Sequence, residues 1–358
     1  MTQWLPLIGG LVVLVGGAEL LVRGAAGLAA RLGISPLVIG LTVVAFGTSS
    51  PEVAVSLDAV FSQRHDIAIG NAVGSNTFNV LFILGISALV CPLAVAQKLI
   101  RVDVPIMIGV SALLWLLARD GELGRLDGVI LFIGIVAYTI GAVRSSRRET
   151  PEVRQEYQSA PDLPRHPSLL RAIGFTAFGL GLAVFGARWF VMGAVAIATD
   201  LGVSELVIGL TIVAAGTSLP EVATSLVAAI RGQRDIAVGN VIGSNIFNVL
   251  FILGLAGIVA PDGLLVSSAV LAFDMPVMLA VTVACLPIVF TGGAIRRWEG
   301  GLLLAGYVAY VVYLVLDAAN HDALSGFSMV MVWFALPLAA IGIAGSLLAS
   351  RPHAGAEC

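Results

Sequence analysis

Runs of about 20 apolar residues recur from one end of this 358-residue chain to the other, and that single pattern leaves few folds open. Lipid offers backbone N–H and C=O groups no partners, so a span of this length must be a helix that closes its own hydrogen bonds. Eleven spans are read, at about 4–22, 34–60, 67–90, 102–118, 128–143, 169–198, 205–230, 236–259, 268–290, 300–317 and 328–349. Only 11% of the residues are charged, against about 25% in a soluble domain, so lipid is the solvent for most of the surface. The first span has no basic residue before it and exceeds a signal-peptide core, so it is expected to remain in the mature protein.

The chain is also a duplication. Residues 40–85 align without a gap to residues 209–254, with roughly two-thirds of the pairs identical, and Glu52 falls on Glu221. Fainter matches continue outwards: Asp103 with Asp274, Tyr138 with Tyr310, and GISPLVIG with GVSELVIG. Each unit holds five spans, and an odd number makes the second unit enter the membrane from the opposite side. The expected fold is therefore an all-α polytopic membrane protein, an inverted repeat of two five-helix units forming a ten-span core, with one added C-terminal span. Its parts are a first repeat at 1–143, a cytoplasmic linker at 144–168, a second repeat at 169–318, and the extra span and tail at 319–358. Lysines and arginines favour one set of loops by about five to one, which predicts N-out and C-in.

Two polar segments interrupt each repeat. Gly47-Thr48-Ser49-Ser50-Pro51-Glu52 in the second span is matched by Gly216-Thr217-Ser218-Leu219-Pro220-Glu221 in the seventh. Each proline removes a helical hydrogen bond and would free carbonyls over residues 45–48 and 214–217. Carbonyls, hydroxyls and a carboxylate make an all-oxygen donor set, suited to hard cations such as Na⁺ and Ca²⁺. A proline kink patched by Ser and Thr explains the Gly, Ser and Pro, but not a carboxylate in mid-span, which costs at least about 2.5 kcal/mol and marks a functional site. In the third and eighth spans, Asn71, Ser75 and Asn79 recur every fourth residue on one helix face, as do Asn240, Ser244 and Asn248. Ser75, Asn79, Ser244 and Asn248 are read as ion ligands. Asn71, Asn76, Asn240 and Asn245 are divided between that role and interhelical hydrogen bonds.

GTSxPE followed by GNxxGSNxxN, present twice, resembles the two α-repeats of the Ca²⁺/cation antiporter superfamily, and most of all its prokaryotic Na⁺/Ca²⁺ exchanger branch. The resemblance covers about 300 residues and implies a ten-helix core with a central diamond of sites where Na⁺ and Ca²⁺ compete. It implies Glu52 and Glu221 as bridging carboxylates, hydroxyl or carbonyl oxygens from Thr48, Ser49, Thr217 and Ser218, and backbone carbonyls from Ala45 and Ala214. Ser75 and Ser244 would flank the outer Na⁺ positions, with Asn79 and Asn248 at the centre. Some relatives carry aspartate at the last two positions; here both are neutral, which leaves two formal negative charges and argues against K⁺ dependence.

The expected function is secondary active Na⁺/Ca²⁺ antiport by alternating access, the first and sixth spans moving across a rigid core. Those spans are rich in glycine, which suits either sliding or tight packing. Glu19 and Arg188, at equivalent places within them, are not expected to be ion ligands. A Ca²⁺/H⁺ exchanger on the same fold is the alternative, with protons replacing Na⁺. A passive channel would carry flux without a counter-ion gradient. Enzyme chemistry has no support: no histidine lies in a span, no HExxH or GxSxG occurs, and Cys91, Cys285 and Cys358 share no metal-binding spacing. No cofactor, nucleic acid or protein partner is implied, only lipid and the transported ions, in a cell membrane of prokaryotic type.

Overall fold

The computed structural model describes residues 4–147, 168–202, 208, 211–212, 214–290 and 292–349. The apolar runs become helices as backbone accounting requires. They are α1 (Trp4–Leu32), α2 (Pro36–Thr48), α3 (Ser50–Phe61), α4 (His65–Val90), α5 (Leu99–Asp120), α6 (Arg125–Ser146), α7 (Leu169–Asp200), α8 (Leu219–Ile230), α9 (Arg234–Val259), α10 (Val270–Phe290), α11 (Arg297–Ala318) and α12 (Ala323–Gly345). A short helical piece, Ala214–Gly216, precedes α8. Most of the expected linker, the tail and part of the seventh span lie outside the described residues.

Helix ends differ from the sequence reading where side-chain partners replace lipid. The first helix runs on past residue 22 to Leu32, because Arg23 is paired with Glu19 at 2.6 Å and the following Ala25, Ala26 and Ala29 are buried. The sixth helix continues beyond residue 143, and its buried Ser146 Oγ accepts the Ser35 N–H at 2.8 Å, anchoring the start of α2. Gly33 and Gly202, at matching places in the repeats, follow α1 and α7 with positive φ (63° and 76°), a conformation that glycine adopts without a Cβ clash.

The polar motifs occupy the interior. The central parts of α9 and α4 are 83% and 72% buried, whereas α12 has no fully buried residue and packs only at its edge, through residues such as Ile343. Around the central helices, α5 and α10 pack on each other, α6 packs along α9, and α11 along α4. Helices α1 and α7 pack on each other along a seam of glycines spaced seven apart, Gly10, Gly17 and Gly24 against Gly179, Gly186 and Gly193, and α1 also packs on α8. A Cβ on Gly186 would meet the Leu14 backbone nitrogen and lie 2.9 Å from the Gly10 carbonyl oxygen. These glycines therefore serve close packing of α1 on α7 rather than a smooth outer face.

Among the described residues, four two-residue strands tie loops together. β1 (Leu93–Ala94) pairs antiparallel with β4 (Ala294–Ile295), and β2 (Glu122–Leu123) with β3 (Leu264–Leu265). Tyr138 donates to Asp103 at 3.1 Å and Tyr310 donates to Asp274 at 2.9 Å, so the faint outer matches of the repeat are equivalent contacts.

Candidate ion-binding site

The chain breaks between α2 and α3, which meet at a 45° bend at Ser49. Pro51 lies in the first turn of α3 and Pro220 in the first turn of α8. Proline there loses no helical bond, so each proline begins a helix rather than kinking one. The carbonyls the sequence reading expects to be freed are partly engaged: Ala45 accepts the Ser49 N–H at 3.0 Å and Phe46 accepts the Ser50 hydroxyl at 3.3 Å. The Thr48 hydroxyl also lies 3.4 Å from the Ala45 carbonyl oxygen, so its second lone pair faces a shared donor. Ala214 opens the short piece Ala214–Gly216. Glu52 and Glu221 each occupy a first helical turn, where the N-terminal dipole favours a carboxylate.

Hydrogen bonds interlock the two repeats. Ser218 Oγ donates to Glu52 Oε1 at 2.8 Å, and Ser49 Oγ donates to Glu221 Oε1 at 3.0 Å. Ser75 Oγ lies 3.2 Å from Ser218 Oγ; since the Ser218 proton goes to Glu52, Ser75 is the donor of that pair. The Thr48 hydroxyl is 3.1 Å from both the Val44 carbonyl oxygen and Asn240 Oδ1. Asn71 Nδ2 donates to the Glu52 carbonyl at 3.1 Å and to Ser56 Oγ at 2.9 Å; Asn240 Nδ2 meets the Glu221 carbonyl at 3.5 Å and Ser225 Oγ at 3.0 Å. Asn71 and Asn240 thus brace the glutamate backbones.

Both glutamates are 1% exposed. Each keeps one oxygen on a serine of the other repeat. Among the described residues, the second oxygens, Glu52 Oε2 and Glu221 Oε2, are buried without a hydrogen-bond partner, as are Asn79 Oδ1, Asn248 Oδ1, Thr217 Oγ1 and Ser244 Oγ. Buried polar atoms are rarely left unpaired, and these six belong to the two motifs of each repeat. Ser75 and Asn79, one turn apart on α4, and Ser244 and Asn248 on α9 share their helix faces. The set combines two carboxylates with neutral oxygens, a donor chemistry for a hard cation. Among the described residues no three His, Cys, Asp or Glu side chains gather, so the negative charge at the site is limited to the two glutamates.

The Thr48 hydroxyl is taken up by Val44 and Asn240, while among the described residues Thr217 Oγ1 makes no hydrogen bond. Glu19 bridges Arg23 at 2.6 Å and Arg231 at 2.7 Å, and Arg188 is exposed on α7, so neither joins the site. Sequence reasoning leaves the crossing of Ser49 to Glu221 and Ser218 to Glu52 unseen, since periodicity reports a face and not its partner.

Buried carboxylates on broken, multi-pass helices fit the class of membrane transport proteins. The chain belongs to the sodium/calcium exchanger protein family, whose pattern matches residues 2–143 and 171–316. It is 41% identical over 306 residues to the putative antiporter CaxA of Alkalimonas amylolytica, covering 84% of this chain and 95% of that one. It is 36% identical over 345 residues to the sodium/calcium exchanger MaX1 of Methanosarcina acetivorans, covering 87% and 98%. A solved structure of the sodium-calcium exchanger NCX_Mj, soaked with Na⁺ and no Ca²⁺, superposes with a TM-score of 0.74 at 32% identity, covering 87% of this chain and 98% of that one.

Proposed function

We propose that this protein is a secondary active Na⁺/Ca²⁺ antiporter of the cell membrane, working by alternating access, with Na⁺ and Ca²⁺ competing for the oxygens between α2–α3, α4, α8 and α9. The observation that carries this reading is the group of buried oxygens without partners, headed by Glu52 Oε2 and Glu221 Oε2. Two carboxylates balance one Ca²⁺, or two Na⁺ with any further Na⁺ on neutral oxygens. Thr48, Ser49, Thr217, Ser218, Ser75, Ser244, Asn79, Asn248 and the carbonyls of Ala45 and Ala214 complete the donor set. The names of the relatives MaX1 and NCX_Mj point to the same ion pair.

The layout that serves this function is an inverted repeat with N-out and C-in. The strand pairing supports it: β1, after the third span of the first unit, joins β4, after the fourth span of the second. Likewise β2, after the fourth span of the first unit, joins β3, after the third span of the second. Units of opposite orientation bring those loops to common faces. The glycine seam makes α1 and α7 one body, which moves over the core as a unit.

The test is ⁴⁵Ca²⁺ uptake into proteoliposomes driven in turn by an outward Na⁺ gradient and by a pH gradient. Uptake with Na⁺ and none with pH alone is expected. Equal uptake under the pH gradient alone would make the protein a Ca²⁺/H⁺ exchanger instead.

A further inference from the structure

An asparagine at a cation site is a ligand one way round and a repulsive N–H donor the other, and nothing in its own shape decides which. For Asn79 and Asn248 the decision is made by two other asparagines. Asn245 Nδ2 is 3.4 Å from the Asn76 backbone oxygen and 3.4 Å from Met107 Sδ. Neither acceptor carries a proton, so the Asn245 amide cannot be reversed without setting oxygen against oxygen and sulfur. Its Oδ1 therefore faces the other way, where it accepts from Asn79 Nδ2 at 3.0 Å. With its nitrogen so engaged, Asn79 turns Oδ1 away from Asn245, and that oxygen has no donor among the described residues.

The second repeat makes the same contacts in mirror order. Asn76 Nδ2 is 3.1 Å from the Asn245 backbone oxygen and 3.6 Å from Met278 Sδ, and Asn76 Oδ1 accepts from Asn248 Nδ2 at 3.0 Å. All four asparagines are exposed by 1% or less. The chain of polarity starts at acceptors that cannot flip and ends at the two amide oxygens left free.

We propose that Asn76 and Asn245 are positioning residues: through a crossed amide relay they fix Asn248 and Asn79 with oxygen, not N–H, toward the transported cation. The proposal rests on the ion site described above. It explains why two asparagines about 100° round from the ligand face are buried at the join of the repeats.

The test measures KM and maximal rate of ⁴⁵Ca²⁺ uptake in Na⁺-loaded proteoliposomes for Asn245→Ala, alone and with Asn79→Asp. Loss of an outer-shell orienting partner costs about 10- to 100-fold in metal affinity, so the single substitution should raise KM by about that factor, with the rate at saturating Ca²⁺ within about twofold. A carboxylate offers oxygen on both sides, so in the Asn79→Asp background the same substitution, which also removes the Asn245 Oδ1 opposed to the new carboxylate, should raise KM by no more than about threefold. An unchanged KM in the native background, or an equal rise in both, overturns the relay. Asn76→Ala, alone and with Asn248→Asp, decides the matter if Asn245→Ala is not recovered folded. Failure of both alanine variants to fold would make the asparagines structural props and refute the proposal. A Glu52→Gln control separates the two ideas: if that protein keeps its Ca²⁺ affinity the ion site itself is wrong, whereas loss there with no effect at Asn245 sinks only the relay.

Discussion

Replacing Glu52 by glutamine tests the site most directly, because the structure specifies what the amide will do. Oε1 is held by the Ser218 hydroxyl at 2.8 Å, so glutamine keeps its carbonyl oxygen there and turns its NH₂ to the place of the unpartnered Oε2. The ion loses a charge and meets a donor. At an effective dielectric constant of 20, unit charges 4 Å apart interact by about 4 kcal/mol, so the lost charge removes about 8 kcal/mol from Ca²⁺ and about 4 from Na⁺. Halving both for water penetration leaves about 4 kcal/mol for Ca²⁺, roughly a thousandfold in affinity, and about 2 for Na⁺. Uptake of ⁴⁵Ca²⁺ against external Ca²⁺ concentration reads the first figure, and Na⁺ inhibition of any residual uptake reads the second. A folded Glu52→Gln protein whose KM for Ca²⁺ lies within tenfold of the native value would refute the reasoning, as would a larger loss for Na⁺ than for Ca²⁺.

Three further outcomes follow from the packing. Asn240→Leu should lower stability by about 2 kcal/mol, and by more than Asn71→Leu, because Asn240 is fully buried and also meets Thr48 while Asn71 is partly exposed; thermal unfolding in detergent compares them, and equal losses would count against the bracing role. Gly186→Ala should cost about 1–3 kcal/mol by forcing the α1–α7 backbones apart, whereas Gly181→Ala, with open space at its Cβ, should be near neutral on the same measurement. Truncation after Asn320, which removes α12, should leave Na⁺-driven Ca²⁺ uptake intact, since that helix is 0% buried and lies outside the core; loss of transport in a folded truncated protein would contradict this.

The spans, the duplication and the cost of Glu52 and Glu221 inside apolar runs are legible in the sequence because each is a local signal. Twenty apolar residues must close their own hydrogen bonds, a repeat is visible by alignment, and a carboxylate inside an apolar run is costly wherever it sits. Helix ends are less legible: α1 passes Arg23 because Glu19, one turn back, pairs with it, and the α6 extension is held by Ser35, 111 residues away. Glycines at seven-residue spacing indicate a close contact but not with what; only the fold sets Gly10, Gly17 and Gly24 against Gly179, Gly186 and Gly193.

Within the candidate site, the helix period puts Ser75 with Asn79 and Ser244 with Asn248, so these shared faces follow from sequence. The crossing of Ser218 to Glu52 and of Ser49 to Glu221 does not, because those partners are 166 and 172 residues apart and no local rule links them. The tertiary structure also decides that Pro51 and Pro220 start helices, and that Asn76 and Asn245 bond across to each other's backbones. An amide or a hydroxyl carries both donor and acceptor capacity, so its role is settled by what stands opposite it. The sequence alone determined which residues are polar inside lipid; the joining of the two repeats determined which of their oxygens stay free.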